Sequence, residues 1–243
     1  MNPSTIIQHY PDERRVFRVL LLNSAKKWIG EAAHVFDLYR ELEAAGHSPI
    51  LACKHGSELE QQAIQAGYRM VAMEFESGLA PIKDLRDIRQ IRRIIRGEKI
   101  DIVHAHRGKD HWLAAAAIIG FHNHVALVRT RHVVMPAKGH WPNRWLYRSW
   151  TDFVLSVSAQ VQAGLGPLLP LIPESCRKVV YSSVNLQKFH PAHRSDVKRT
   201  GLGIGQEDLL IGLIGRFQNI KGQHIFLQSA KTLAKQFPQA RFL

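Results

Sequence analysis

The chain has 243 residues, of which 45% are hydrophobic and 22% charged, enough for a sizeable core and unlike a disordered or fibrous protein. Its formal net charge of +13 favours acidic partners: nucleic acid, phosphorylated small molecules or an anionic membrane surface. The two cysteines, Cys53 and Cys176, lie far apart without CxxC spacing and imply neither a disulfide framework nor a zinc site.

Met1 to Arg15 holds Asp12, Glu13, Arg14 and Arg15 and no apolar core of signal-peptide length. The longest apolar run, Trp112 to Phe121, is shorter than the about 20 residues a bilayer span needs, so the chain reads as soluble and cytoplasmic. Val16 to Leu22 predicts a strand, and Ala32, Val35, Phe36, Leu38, Leu42 and Ala45 follow at helical spacing, ended by Gly46. Further short buried strands are predicted at Ile50 to Cys53, Met70 to Met73, Ile100 to His104, Val125 to Val128 and Phe153 to Val157, with another at Val179 to Tyr181. Helical patterns at Glu58 to Ala66, Ile82 to Arg96, Trp112 to Ile119, Arg144 to Trp150 and Ala159 to Leu165 alternate with them. That alternation predicts an α/β fold, a parallel sheet with helices on both faces.

From Phe189 to Asp208 the texture turns to proline, glycine and polar residues, which marks a linker and the approach to a second domain. Residues 1–190 form the first domain in this reading, 191–208 the linker and 209–243 the start of the second. Gly201, Gly203 and Gly205 do not form a dinucleotide fingerprint, because no strand precedes them and the spacing is wrong. Leu209 to Ile214 predicts a buried parallel strand running into Gly215-Arg216, and Gln223 to Phe237 predicts a helix. Ligands bind at the carboxyl ends of strands in open α/β sheets, and a helix amino end favours an anion. Arg216 adds a planar fork and Lys221 a point charge, which together suit a diphosphate. Arg241 to Leu243 reads as the next strand beginning, so the chain is expected to stop inside a fold.

Candidate site residues gather at strand ends. His104 and His106 point to one face at i and i+2; three readings stand for the pair, namely structural histidines, metal ligands or substrate contacts, with metal the weakest. His106, followed by Arg107 and Gly108, is the better substrate contact. Arg129, Arg131 and His132 bring two guanidiniums and an imidazole to the same sheet edge, suited to phosphate or carboxylate or else to a solvated loop. Gly30 allows close backbone approach at a helix amino end, or is an ordinary turn glycine. From Arg107 to Trp150 seven basic residues face the single acid Asp110, whereas the arginines of 86–96 share their helix with Asp84, Asp87 and Glu98. Trp141, Trp145 and Trp150 among Lys138, Arg144 and Arg148 fit stacking, interfacial insertion or plain packing.

In chain order, Gly30 before a helix ending Ala44-Ala45-Gly46-His47, the strand end Asp101-Ile102-Val103-His104-Ala105-His106, Ser156-Val157-Ser158, the segment Val184 to Pro191, and Gly215-Arg216-Phe217 with Lys221-Gly222 resemble the retaining GT-B glycosyltransferases of family four. The resemblance covers almost the whole chain. It implies two Rossmann-like domains, the first for the acceptor and the second for a nucleotide-sugar donor. Arg216 and Lys221 match the pair that grips the donor diphosphate, Gly215 the loop glycine before them, His106 the strand-end histidine near the transferred sugar, and Gly30 the second glycine of the family's Gly-Gly turn. Ile29 departs from the first glycine, and Ser182 and Ser183 depart from an Asn-Gly pair. The family's downstream glutamate pair has no counterpart, which predicts a fragment or a broken gene.

The expected function is therefore transfer of a sugar from a nucleotide diphosphate to a glycan or lipid-linked acceptor, with retention, in cell-envelope polysaccharide or lipopolysaccharide synthesis. No metal or other cofactor is expected, because Arg216, Lys221 and a helix amino end can stabilise the departing diphosphate. The basic surface predicts peripheral contact with an anionic membrane on its cytoplasmic side. The alternatives are a basic nucleic-acid-binding module, for which no motif is visible, and an inactive fragment of the enzyme.

Overall fold

The computed structural model describes residues 15–187, 189–193 and 195–243. Packing divides the chain into two compact units, Met1–Ser182 and Ser183–Leu243.

The first unit runs β1 (Arg18–Asn23), α1 (Gly30–Ala44), β2 (Ser48–Lys54), α2 (Glu58–Gln65), β3 (Met70–Met73), α3 (Pro81–Glu98), β4 (Ile102–Ala105), α4 (Gly108–Ile118), β5 (Ala126–Arg131), α5 (Trp141–Ser149), β6 (Phe153–Ser156), α6 (Ala159–Ala163) and β7 (Arg177–Val179). The seven strands form one sheet in the order β3-β2-β1-β4-β5-β6-β7, every pairing parallel. This is the expected α/β Rossmann-like sheet. The strand order reverses between β1 and β4, the switch point at which such sheets open a crevice for ligand.

Side-chain alternation assigns the two faces. Val19, Leu21, Leu51 and Cys53 pack with Ala32, Val35, Tyr39, Leu59 and Ala63 of α1 and α2. Leu20, Leu22, Ile50, Ala52, Val103, Ala105 and Leu127 pack instead with Ile91, Ile95, Leu113, Ala114 and Ile118 of α3 and α4. A period of two thus buries both sides of each central strand, which is why these strands read as continuous apolar runs. Cys53 lies wholly in this core, and burial pushes its thiol pKa up to about 12, so it packs as an inert apolar residue.

Several boundaries differ from the sequence expectation, β7 covering Arg177–Val179 rather than Val179 to Tyr181, and three of the shifts have a local reason. Helix α4 begins at Gly108 rather than Trp112, because the Asp110 carboxylate accepts from the Arg107 backbone N–H at 3.0 Å and closes a polar first turn. Helix α5 begins at Trp141 rather than Arg144, with Pro142 in its first turn and the His140 ring accepting from the Asn143 N–H at 3.4 Å. Strand β5 continues through Arg131 instead of ending at Val128, and Arg129, Thr130 and Arg131 are all buried. They are strand residues, not a solvated loop.

The second unit contains α7 (Asp196–Gly201), β8 (Leu209–Ile211), α8 (Gln223–Gln236) and β9 (Ala240–Phe242), with β8 and β9 paired in parallel. Strand β8 is shorter than expected: its last contact to the neighbouring strand is the bond from the Leu213 N–H to the Leu243 carbonyl at 2.8 Å, and Ile214 is 99% exposed. Gly222, at φ +71, adopts the left-handed conformation that turns the chain into α8.

Candidate functional site

Four histidines meet at the carboxyl edge of the sheet on its α1 side. His34 comes from α1, His104 from β4, His106 from just beyond β4 and His132 from just beyond β5. His104 Nε2 lies 2.7 Å from Thr130 Oγ1, and His106 Nδ1 lies 3.1 Å from His132 Nε2. The ring centroids of His34 stand 5.0 Å from those of His132 and 5.9 Å from those of His106, while His104 and His106 are 4.3 Å apart. Burial lowers the pKa of every member: His104 and His132 fall to about 3, His106 goes well below its ordinary value, and His34 is lowered. Arg129, and the repulsion that a second charged imidazole would meet, add to that effect for His104, His106 and His132. The cluster is therefore neutral at pH 7, and His106 works as a dipolar hydrogen-bonding group, not as a cation. Its Nε2 is buried and has no partner among the described residues.

The amino end of α1 adjoins β1. Ile29 supplies no side-chain cap, and a Cβ placed on Gly30 would meet nothing within 4 Å, so this backbone is open. Glu31 stands in the first turn, accepting from Asn23 Nδ2 at 3.0 Å and lying 3.5 Å from an Arg107 guanidinium nitrogen. Burial raises its carboxyl pKa, with Arg107 pulling the other way.

Arg129 and Arg131 occupy the opposite face. Strand alternation sends them toward α4 and α5, where with His111, Lys138, Asn143 and Tyr147 they line a cavity of about 220 Å³. Arg129 Nη1 donates to the carbonyls of Ala105 at 3.2 Å and Thr130 at 2.8 Å, and Arg131 Nη2 donates to the Met135 carbonyl. The Nε atoms of both arginines are buried and unpartnered among the described residues. Burial also lowers the Arg131 pKa, Arg129 acting in the same sense, although the guanidinium stays charged at neutral pH. The hydrogen bonds of both guanidiniums thus go to backbone carbonyls, while Asp110 acts electrostatically on Arg129 and Tyr147 on Arg131.

The grouping expected from sequence is thus divided. Arg129 and Arg131 share one side of the sheet, while His132 joins His106 on the other. The acid-poor stretch from Arg107 to Trp150 also finds partners elsewhere, Lys109 pairing with Asp84 of α3 at 2.6 Å and Arg107 with Glu31 of α1. His34, His111 and Glu31 are site residues that the sequence pattern does not single out. Of these only Glu31 carries a local signal, an acid in the first turn of a helix.

In the second unit Arg216 and Lys221 lie on the connection from β8 to α8, both exposed. A Cβ on Gly215 would contact the Lys221 side chain at 3.7 Å, and the Gln223 amide donates to the Arg216 carbonyl at 2.7 Å, which ties the connection to α8. Helix α8 has no side-chain cap at its amino end. Strand β8, a connection that carries both cations, and an uncapped helix thus follow one another in the chain.

Residues 29–188 match the family described as Glycosyltransferase Family 4. The chain belongs to this family. A stretch of 62 residues is 37% identical to D-inositol 3-phosphate glycosyltransferase of Corynebacterium urealyticum, over 25% of this chain and 15% of that protein. A solved glycosyltransferase of Rickettsia africae shares the fold at a TM-score of 0.74 and 20% identity, over 90% of this chain and 57% of its own. Anabaena HepE, solved with UDP and glucose, does so at 0.69 and 16% identity, over 93% of this chain and 60% of its own. The family-4 chain therefore spans under two thirds of the length of these structures, and its α/β Rossmann-like fold is that of GT-B glycosyltransferases.

Proposed function

We propose that the protein transfers a sugar, with retention, from a nucleoside-diphosphate sugar to a glycan or lipid-linked acceptor that carries a phosphate or carboxylate. Cell-envelope polysaccharide or lipopolysaccharide synthesis is the setting this chemistry fits. The observation that carries the acceptor class is the pair of buried arginines on the 220 Å³ cavity, whose Nε atoms have no partner among the described residues. An anionic group there gains charge-assisted hydrogen bonds that the protein does not otherwise supply. The relative named for a phosphorylated inositol supports the same class.

On the donor side, Arg216 and Lys221 hold the diphosphate and stabilise the charge that develops as it leaves, a role that calls for no metal ion. Support for a nucleotide sugar comes from HepE, solved with UDP-glucose in a further structure that shares the fold at a TM-score of 0.66. His106, neutral and presenting an unpartnered Nε2, hydrogen-bonds the transferred sugar. Among the described residues no helix is long and apolar enough to cross a membrane. We assign the approach to a membrane-borne acceptor to α5, where Trp141 is 77% and Trp145 47% exposed beside exposed Arg144 and Arg148.

Equilibrium binding of paired ligands tests the acceptor reading. Sugar phosphates or polyol phosphates should bind the full-length protein, their dephosphorylated forms should bind at least about tenfold more weakly, and Arg131→Ala should remove the difference. Equal affinity for both members of every pair would refute it.

A further inference from the structure

His34, His106 and His132 reach one another from three separate elements, and one ring nitrogen from each lies within 4.8 Å of the other two. His106 Nδ1 and His132 Nε2, at 3.1 Å, already stand close to the separation of about 3.3 Å that two nitrogens keep on a tetrahedral zinc ion with bonds near 2.0 Å. His106 is 1% exposed, and its contact to His132 is the one hydrogen bond its ring makes among the described residues. His104 stands apart from this trio, its Nε2 engaged by Thr130 Oγ1.

We propose that His34, His106 and His132 form a binding site for a divalent transition-metal ion of the zinc class. Three imidazoles without a carboxylate or thiolate suit zinc, cobalt, nickel or copper and suit magnesium or calcium poorly. His34 is only half-buried, which leaves a path for the ion, and three protein ligands leave a fourth position for water. The glycosyl-transfer reading above gives His106 Nε2 to the donor sugar, whereas the ion takes Nδ1 of the same ring, the nitrogen that faces His132.

The test reads metal binding itself, so its failure leaves the transferase reading untouched. Chelator-treated full-length protein, free of affinity-tag histidines, is titrated with cobalt(II) and then with zinc. One equivalent of cobalt should give the intense visible bands of a four- or five-coordinate ion, and zinc should displace them. His34→Ala and His132→Ala should each weaken uptake at least about tenfold, whereas His104→Gln should retain it. Circular dichroism establishes that each variant is folded, and His34→Ala, on the half-buried face of α1, serves if a more buried variant is not. Absence of saturable uptake, a pale six-coordinate spectrum, or uptake unchanged in folded His34→Ala and His132→Ala would overturn the site.

Discussion

Acidification should unfold the first unit well before carboxylate protonation explains it. His104 and His132 have folded-state pKa values of about 3, and His106 and His111 are held well below the ordinary value, in each case chiefly by burial. In the unfolded chain each titrates near 6.5. Between those values the unfolded state binds protons that the native state refuses, so stability is fully present above about pH 6.5 and is lost as pH falls. From pH 7.5 to 5.5 each such group costs about 1.4 kcal/mol, and four cost about 5 kcal/mol, comparable to the whole stability of many domains. Glu31, Asp87, Asp110 and Asp152, whose pKa values burial raises, act in the opposite sense and offset part of the loss at the acid end. All five tryptophans, Trp28, Trp112, Trp141, Trp145 and Trp150, lie in the first unit, so urea titration followed by tryptophan fluorescence reports on it directly. The unfolding midpoint should fall steeply between pH 7 and 5.5. His104→Gln and His111→Gln should each flatten the slope by about one proton, or about 1.4 kcal/mol per pH unit. A midpoint independent of pH over this range, or a slope unchanged in both variants, would refute the neutral-histidine account.

Other consequences follow for catalysis and surface behaviour. Arg216→Ala and Lys221→Ala should each reduce transition-state stabilisation by about 2–4 kcal/mol, with turnover insensitive to EDTA; wild-type rates in both variants, or loss of turnover on chelation with recovery on adding magnesium or manganese, would contradict the assigned roles. Vesicle sedimentation should show binding that needs anionic lipid and declines with salt as the Debye length falls below about 10 Å, and Trp141→Ala with Trp145→Ala should weaken it; equal binding to neutral vesicles would remove the membrane role. Residues 1–243 should self-associate on light scattering, because Ile214, Phe217 and Ile220 are between 87% and 99% exposed; a stable monomer at high concentration would show that these side chains do not drive contact.

The order of strands and helices was legible because the central strands are apolar on both faces and the helices carry one apolar stripe. What escaped was polar structure. Arg129 and Arg131 look like the end of a strand when only apolar residues are counted, yet both remain in β5, where their guanidiniums bond to carbonyls inside the fold. Reading Arg129 to His132 as one cluster overlooked that adjacent strand residues point to opposite faces, which puts the arginines toward α5 and His132 toward α1. His34 lay hidden in an otherwise ordinary amphipathic helix, since its meaning depends on His106 and His132, far away in sequence. The Gly215-Arg216 and Lys221-Gly222 connection was readable because strand, loop and helix there are contiguous.

The most direct test is transfer itself. The full-length protein is incubated with labelled nucleoside-diphosphate sugars and acceptors offered in pairs, each phosphorylated sugar or polyol beside its dephosphorylated form, and the product anomer is read by NMR. The account predicts glycosylation of the phosphorylated member with the donor's anomeric configuration retained, and loss of the preference in Arg131→Ala. Transfer to the neutral member at equal rate, or an inverted product, would contradict it.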